Sequence, residues 1–225
     1  KLLKLAKECL IQHTKNGDTT IVMWVLLSNL DLVGHYYGPD SLEVIDTLYH
    51  LDKQLYDFMK YARYRVGARK CLFVMTADHG IPSIPELSQK RGLSLARRVM
   101  ADPLIQKIND AIQEKYGVMH AIRAYEPTYF RLNKEALNVL EPEKKAIVIN
   151  DIKTMLEQEP GIRKAWTVEE LAAAPYVPGQ REYCYKTQIY PGRIGDIICM
   201  PQPYCQITHY EKGTSHMSPY EYDTH

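Results

Sequence analysis

Cys71-Leu-Phe-Val-Met-Thr-Ala77, followed directly by Asp78-His79-Gly80, is the stretch that decides the fold. Residues 71–77 are almost wholly apolar, which is typical of a parallel-sheet strand that is buried on both faces. Thr19-Thr-Ile-Val-Met-Trp-Val-Leu-Leu27 is a second run of this kind, and a polar loop follows it. The two runs therefore predict buried parallel strands with polar side chains at their carboxyl ends.

A long helix is predicted between these strands. Asp40 is the expected N-cap, with Glu43 three residues further on, and apolar residues then recur at helical spacing to about Tyr64. Gly67 ends the pattern. This order of strand, helix and strand predicts an open α/β fold. Polar side chains follow both strands, and such a fold binds ligands at the carboxyl edge of its sheet.

The rest of the chain predicts a smaller lobe and a return to the sheet. Helices are expected over 104–116 and 142–158, and strands over 121–132, 161–166, 183–188 and 195–200. We predict an α/β core over 1–103, an inserted α+β lobe over 104–182, and a return to the core over 183–225. The predicted fold class is thus α/β, with a mostly parallel sheet flanked by helices. We expect this fold to be incomplete in the chain and to carry a smaller inserted α+β lobe.

The composition is that of an ordinary globular protein, with 45% hydrophobic and 24% charged residues. A net charge of +1 gives no general attraction to nucleic acid or to an anionic membrane, and the longest apolar run is only strand length. The five cysteines form no C-x-x-C motif. A bridge from Cys199 to Cys184 or to Cys205 stays open, so cysteine usage does not settle the redox compartment.

Two pairs of carboxylate and imidazole side chains are candidate metal ligands. Asp31 and His35 lie four residues apart and can reach one cation if their loop forms a helical turn. The alternative is a turn-capping aspartate with a surface histidine. Asp78 and His79 are adjacent, so they can share a metal only across a turn, which Gly80 permits. Their alternative is a helix N-cap beside a loop histidine.

His216 is the fifth candidate, in Gly213-Thr-Ser-His216-Met-Ser-Pro219, a loop of small and turn-forming residues. Taken alone it is a solvated loop histidine, and His13, His50, His120, His209 and His225 are interpreted as structural or exposed. Together the five candidates offer nitrogen and oxygen ligands without a thiolate. That set is typical of a catalytic two-metal hydrolytic site rather than of a structural zinc knot.

The three motifs around these residues resemble those of the alkaline phosphatase superfamily. The resemblance is to its single-domain bacterial alkaline phosphatases and to their phosphodiesterase/nucleotide pyrophosphatase relatives. It implies two divalent metal ions, with zinc as the expected metal. Asp31, His35 and His216 would hold one ion, and Asp78 and His79 would hold the other.

The resemblance also implies a phosphomonoesterase that acts on a small phosphorylated substrate through a Thr or Ser phosphoenzyme. No catalytic nucleophile is expected within these 225 residues; it is expected upstream of Lys1, so this stretch alone should be inactive. Export to the periplasm is expected from the resemblance only, and the oligomeric state stays open. The alternatives are a phosphodiesterase or nucleotide pyrophosphatase of the same superfamily, and a non-catalytic relative that binds a phosphorylated ligand or a protein partner.

Overall fold

The structure is a computed structural model that describes residues 1–14, 20–175, 177–190 and 192–224. The chain divides into two compact units, Lys1–Asp78 and His79–His225. This division does not coincide with the predicted boundaries after residues 103 and 182, which stay a prediction. No helix in the described part of the chain is long and apolar enough to cross a membrane.

The first unit consists of helices α1 (Leu2–His13), α2 (Asn29–Tyr37) and α3 (Leu42–Val66), with a 3-10 turn at Ala68–Lys70. Ser41 caps α3, because its hydroxyl oxygen accepts a hydrogen bond from the Val44 amide at 3.2 Å. The same hydroxyl donates to the Gly38 carbonyl at 2.8 Å. The prediction that Asp40 is the N-cap was wrong by one residue. Ser41, the next residue, is also polar and takes the capping position.

The two apolar runs of the first unit are not strands. Residues 20–27 and 71–77 have no ladder partner among the described residues, and Thr19 lies outside them. Alternate side chains of the first run point away from any core, with exposed fractions of 87% for Val22, 82% for Trp24 and 70% for Leu26. The residues between them pack against a small cluster of α1 and α3: Met23, Val25 and Leu27.

The prediction of strands buried on both faces was therefore wrong for this unit. Leu72, Val74 and Met75 of the second run are also strongly exposed, whereas Phe73 packs against the same cluster. A strand exists only through hydrogen bonds to a neighbouring strand, and the first unit provides no such neighbour among its described residues. Among the described residues, the α1–α3 cluster covers one face of the first run but only Phe73 of the second.

The second unit contains all six strands in the described residues. They are β1 (Arg98–Met100), β2 (Ile122–Glu126), β3 (Tyr129–Leu132), β4 (Ile162–Thr167), β5 (Ile197–Pro201) and β6 (Gln206–Thr208). β1 and β6 form a parallel pair, and the other four form an antiparallel sheet in the order β2-β3-β5-β4.

Two strand predictions need correction. The strand predicted over 121–132 is the hairpin β2–β3, which turns at Pro127 and Thr128 and pairs Glu126 with Tyr129. Proline has no N–H for a ladder, so it marks the turn. The strand predicted over 183–188 is also wrong: residues 183–186 lie in a helix and residues 187–188 in a turn, and the expected partner β5 pairs with β3 on one edge and β4 on the other.

The helices of the second unit complete its core. They are α4 (Pro85–Lys90), α5 (Ala101–Tyr116), α6 (Lys134–Leu137), α7 (Pro142–Gln158), α8 (Val168–Ala173), α9 (Arg181–Lys186) and α10 (Glu221–Thr224). α5 and α7 bury their apolar faces, as the spacing predicted, and Ile108, Val148 and Ile152 have no exposed surface. β6 belongs to this packed frame, and the loop that carries His216 follows it. All five cysteines are free, so neither bridge considered for Cys199 forms.

Candidate metal centre

Asp31 and His35 lie on successive turns of α2, where a loop was predicted. The His35 Nε2 atom is 3.3 Å from the Asp31 Oδ1 atom, and both side chains are partly exposed. Residues four apart share one face of a helix, so the condition set for them to reach one cation is met. The helix ends at Gly38, which has a positive φ of 80°.

Asp78 and His79 are the last residue of the first unit and the first residue of the second. No helix begins at Asp78, since the next one in the described chain starts at Pro85, and this removes the N-cap alternative. The His79 Nδ1 atom is 2.9 Å from the Gly80 carbonyl oxygen. A carbonyl can only accept, so Nδ1 is the donor in this contact, and Nε2 is the ring nitrogen left to bind a metal.

His216 lies beside His79 in the second unit. The two imidazole rings are stacked, with centroids 3.5 Å apart and planes inclined by 19°. The two residues come from distant parts of the sequence, so the fold of the second unit brings them together. Each predicted ligand set combines residues of both units, and the sets as wholes therefore stay predictions.

Arg98 anchors the loop that leads to His216, and no motif pointed to it. Its guanidinium group donates to the Gly213 carbonyl at 2.7 Å and to the Tyr210 carbonyl at 3.2 Å. It also binds both oxygens of Glu86 at 2.8 Å. The side chain is only 6% exposed, and its hydrogen bonds lower the pKa of the Glu86 carboxyl. The buried fork of Arg98 thus joins β1 and α4 to the start of the loop.

Two further contacts hold this loop. The Thr214 hydroxyl donates to the Pro82 carbonyl at 3.1 Å, near His79 in sequence. The Asp223 carboxylate accepts a hydrogen bond from the Ser218 amide at 2.7 Å. Burial raises the pKa of the Asp223 carboxyl, and the bonds from Ser218 oppose that shift. Sequence reasoning missed Asp223, because it lies outside the three motifs that carry the candidate ligands, and it gave Thr214 and Ser218 no anchoring role.

His209 is held by hydrogen bonds away from this cluster. Its Nε2 atom is 3.0 Å from the Tyr125 carbonyl oxygen, and its Nδ1 atom is 3.0 Å from Asp102 Oδ1. The carbonyl and then the carboxylate raise the pKa of His209, because both nitrogens face acceptors. Both ring nitrogens are therefore engaged in hydrogen bonds to Tyr125 and Asp102, which agrees with the structural role expected for this residue.

A family model for type I phosphodiesterase / nucleotide pyrophosphatase matches residues 3–225. Over 215 residues the chain is 27% identical to alkaline phosphatase PafA of Elizabethkingia meningoseptica, a match that covers 92% of this chain and 37% of that protein. Over 223 residues it is 28% identical to alkaline phosphatase PhoD of Zymomonas mobilis, again covering 92% and 37%.

The crystal structure of wild-type alkaline phosphatase PafA is similar to this structure, with a TM-score of 0.85 and 25% identity. The superposition covers 99% of this chain and 42% of that chain. The chain therefore spans less than half the length of the relatives it matches. The predicted fold class is confirmed at the level of an alkaline-phosphatase-like fold, of which this chain represents one part.

Proposed function

This chain belongs to the type I phosphodiesterase / nucleotide pyrophosphatase family, and on that premise we propose that it is part of a metal-dependent phosphomonoesterase. The observation that carries the proposal is the stack of His79 on His216, at 3.5 Å between ring centroids. A candidate ligand from each of two separate motifs meets there. The names of the curated relatives PafA and PhoD, both alkaline phosphatases, favour monoester hydrolysis.

The proposed ligand sets are those of the sequence analysis. Asp31, His35 and His216 would hold one ion, and Asp78 and His79 would contribute to holding a second. The donor chemistry suits zinc, because imidazole nitrogen and carboxylate oxygen are its usual ligands in catalytic sites. The contact between Gly80 and His79 Nδ1 supports Nε2 as the ligating atom of that ring.

The chain's own residues would orient the ions. Helix α2 keeps Asp31 and His35 on one face, and the anchored loop after β6 presents His216. Bound zinc would supply Lewis acidity, which activates a hydroxyl nucleophile and stabilises the leaving oxygen of a phosphate ester. The nucleophile, a Thr or Ser that forms a phosphoenzyme, is proposed to lie outside these residues. Export to the periplasm is proposed from the family resemblance.

A second candidate is cleavage of phosphodiesters or nucleotide pyrophosphates, which the description of the matching family favours. A relative that binds a phosphorylated ligand or a protein without catalysis is the third. In the natural protein that carries this chain, we expect p-nitrophenyl phosphate to be hydrolysed with a higher kcat/KM than bis-p-nitrophenyl phosphate. The opposite order would favour the diesterase, and zinc binding without turnover of either ester would favour the binding protein.

The metal assignment has a matched control within the first unit. His50 lies four residues after Asp46 in α3, with 3.7 Å between His50 Nε2 and Asp46 Oδ1, and so repeats the arrangement of Asp31 and His35. We expect His35→Ala to lower zinc affinity and phosphatase activity, and His50→Ala to leave both unchanged. Equal effects of the two substitutions would contradict the assignment.

A further inference from the structure

Asp223 is a buried carboxylate. It lies in the short helix α10 and is only 5% exposed. One of its oxygens, Oδ1, is buried without a hydrogen-bond partner among the described residues. Burial of a carboxylate that is not fully hydrogen-bonded is unfavourable. Its presence therefore calls for a role that outweighs this cost.

The hydrogen bonds of Asp223 connect the segments that carry His79 and His216. Its Oδ2 atom accepts from the Ser218 amide at 2.7 Å, two residues after His216. Its main-chain carbonyl accepts from the Gly80 amide at 2.9 Å, the residue after His79. A single residue thus ties together the backbones next to the two stacked rings.

Met217, between His216 and Ser218, shows why these hydrogen bonds are needed. Met217 has a backbone φ of 100°, a conformation that residues other than glycine rarely adopt. A strained residue persists only where its surroundings hold it. The bond from Ser218 to Asp223 holds the backbone on the far side of Met217, whereas Arg98 holds Gly213 on the near side.

We propose that Asp223 is a positioning residue that keeps His79 and His216 side by side. The side chain does so by fixing the Ser218 amide, and the main chain does so by fixing the Gly80 amide. The inference rests on the proposed function for its significance, since the two rings matter as candidate metal ligands. The contacts themselves do not depend on a metal.

Asp223→Leu tests the side-chain contact, because leucine has a similar size but cannot accept a hydrogen bond. Asp223→Asn is the conservative variant, since its amide oxygen can still accept from Ser218. Glu221→Gln removes an exposed carboxylate from the same helix and serves as the matched control. Thermal unfolding followed by circular dichroism shows whether each variant is folded.

The first readout uses the metal-free chain. In Asp223→Leu we expect the Ser218 amide to exchange its hydrogen faster, and the nuclear Overhauser contacts between the His79 and His216 rings to weaken. Glu221→Gln should keep both signals, and Asp223→Asn should keep the ring contacts, with Ser218 amide exchange slower than in Asp223→Leu. Unchanged exchange and unchanged ring contacts in a folded Asp223→Leu chain would overturn the inference.

The second readout is the zinc affinity of the same chains. Loss of a residue that orients metal ligands reduces affinity by about 10–100-fold, so we expect this loss in Asp223→Leu and recovery in Asp223→Asn. If the wild-type chain binds no zinc while its ring contacts still depend on Asp223, the positioning role stands and the proposed function fails. Where the wild-type chain does bind zinc, an affinity that is the same in a folded Asp223→Leu chain overturns the inference.

A third measurement applies if Asp223→Leu does not fold. In Asp223→Asn the acceptor of the Ser218 amide changes from a charged to a neutral oxygen, which weakens the bond. The Ser218 amide proton should then shift upfield, whereas Glu221→Gln should not move it. An unshifted Ser218 resonance in Asp223→Asn would overturn the inference.

Discussion

The two units of this chain use their apolar residues in opposite ways. The second unit buries them between helices and sheet, so that Ile108, Val148 and Ile152 have no exposed surface. The first unit has comparable apolar runs but leaves Val22, Trp24 and Leu26 largely exposed. The difference teaches that an apolar run becomes a buried strand only where neighbouring strands can pair with it. Exposed apolar patches are typical of surfaces that contact other polypeptide.

The largest expected effect tests this contrast directly. Ile152→Ala should lower the free energy of unfolding by about 2–5 kcal/mol, because it opens a cavity in a packed core. Leu26→Ala, at an exposed position, should change it by no more than about 0.5 kcal/mol. Urea denaturation of both variants measures the difference. Similar losses of unfolding free energy in the two variants would show that residues 20–27 are buried in solution. They would contradict the contrast between the two units.

A smaller effect is expected from the polar contacts of the second unit. Arg98→Ala should lower the free energy of unfolding by about 1–3 kcal/mol, because buried hydrogen bonds to Glu86 and to the loop carbonyls are lost. Arg131→Ala is the control, since its pair with Glu126 is more exposed and should contribute about 0–1 kcal/mol. Denaturation midpoints that fall equally in both variants would contradict an anchoring role for Arg98.

The smallest expected effect concerns pH. The folded state raises the pKa of His209 above its ordinary value of 6.5, so the folded chain binds this proton more tightly than the unfolded chain does. The resulting stabilisation is fully present below pH 6.5 and is lost as the pH rises through the folded pKa.

The melting temperatures of the wild type and of His209→Gln, measured between about pH 5 and 9, check this sign. The advantage of the wild type should be greatest at the acidic end and should shrink toward the alkaline end. Asp102→Asn should keep the larger part of it, because the Tyr125 carbonyl is the main cause of the shift. An advantage that grows with pH would contradict the assignment.

Local patterns predicted the helices well. The apolar spacing predicted α7 over 142–158, where the structure has Pro142–Gln158, and α5 began only three residues before its predicted start. Both helices depend on residues within a few turns of each other, so the chain's own neighbours decide them. The same patterns failed for 183–188, because its apolar and aromatic residues suit a strand, and only the occupied edges of β5 exclude one.

By itself, the sequence determined the types of ligand in the candidate site and the four-residue spacing of Asp31 and His35, which brings the two side chains together once a helix forms there. Only the tertiary structure decided that His79 stacks on His216 and that Arg98 and Asp223 hold the loop between β6 and α10. The ring stack, the bond from Arg98 to Gly213 and the bond from Gly80 to the Asp223 carbonyl join residues that are far apart in the chain. Their formation depends on how the sheets and helices pack, and no local spacing contains that information.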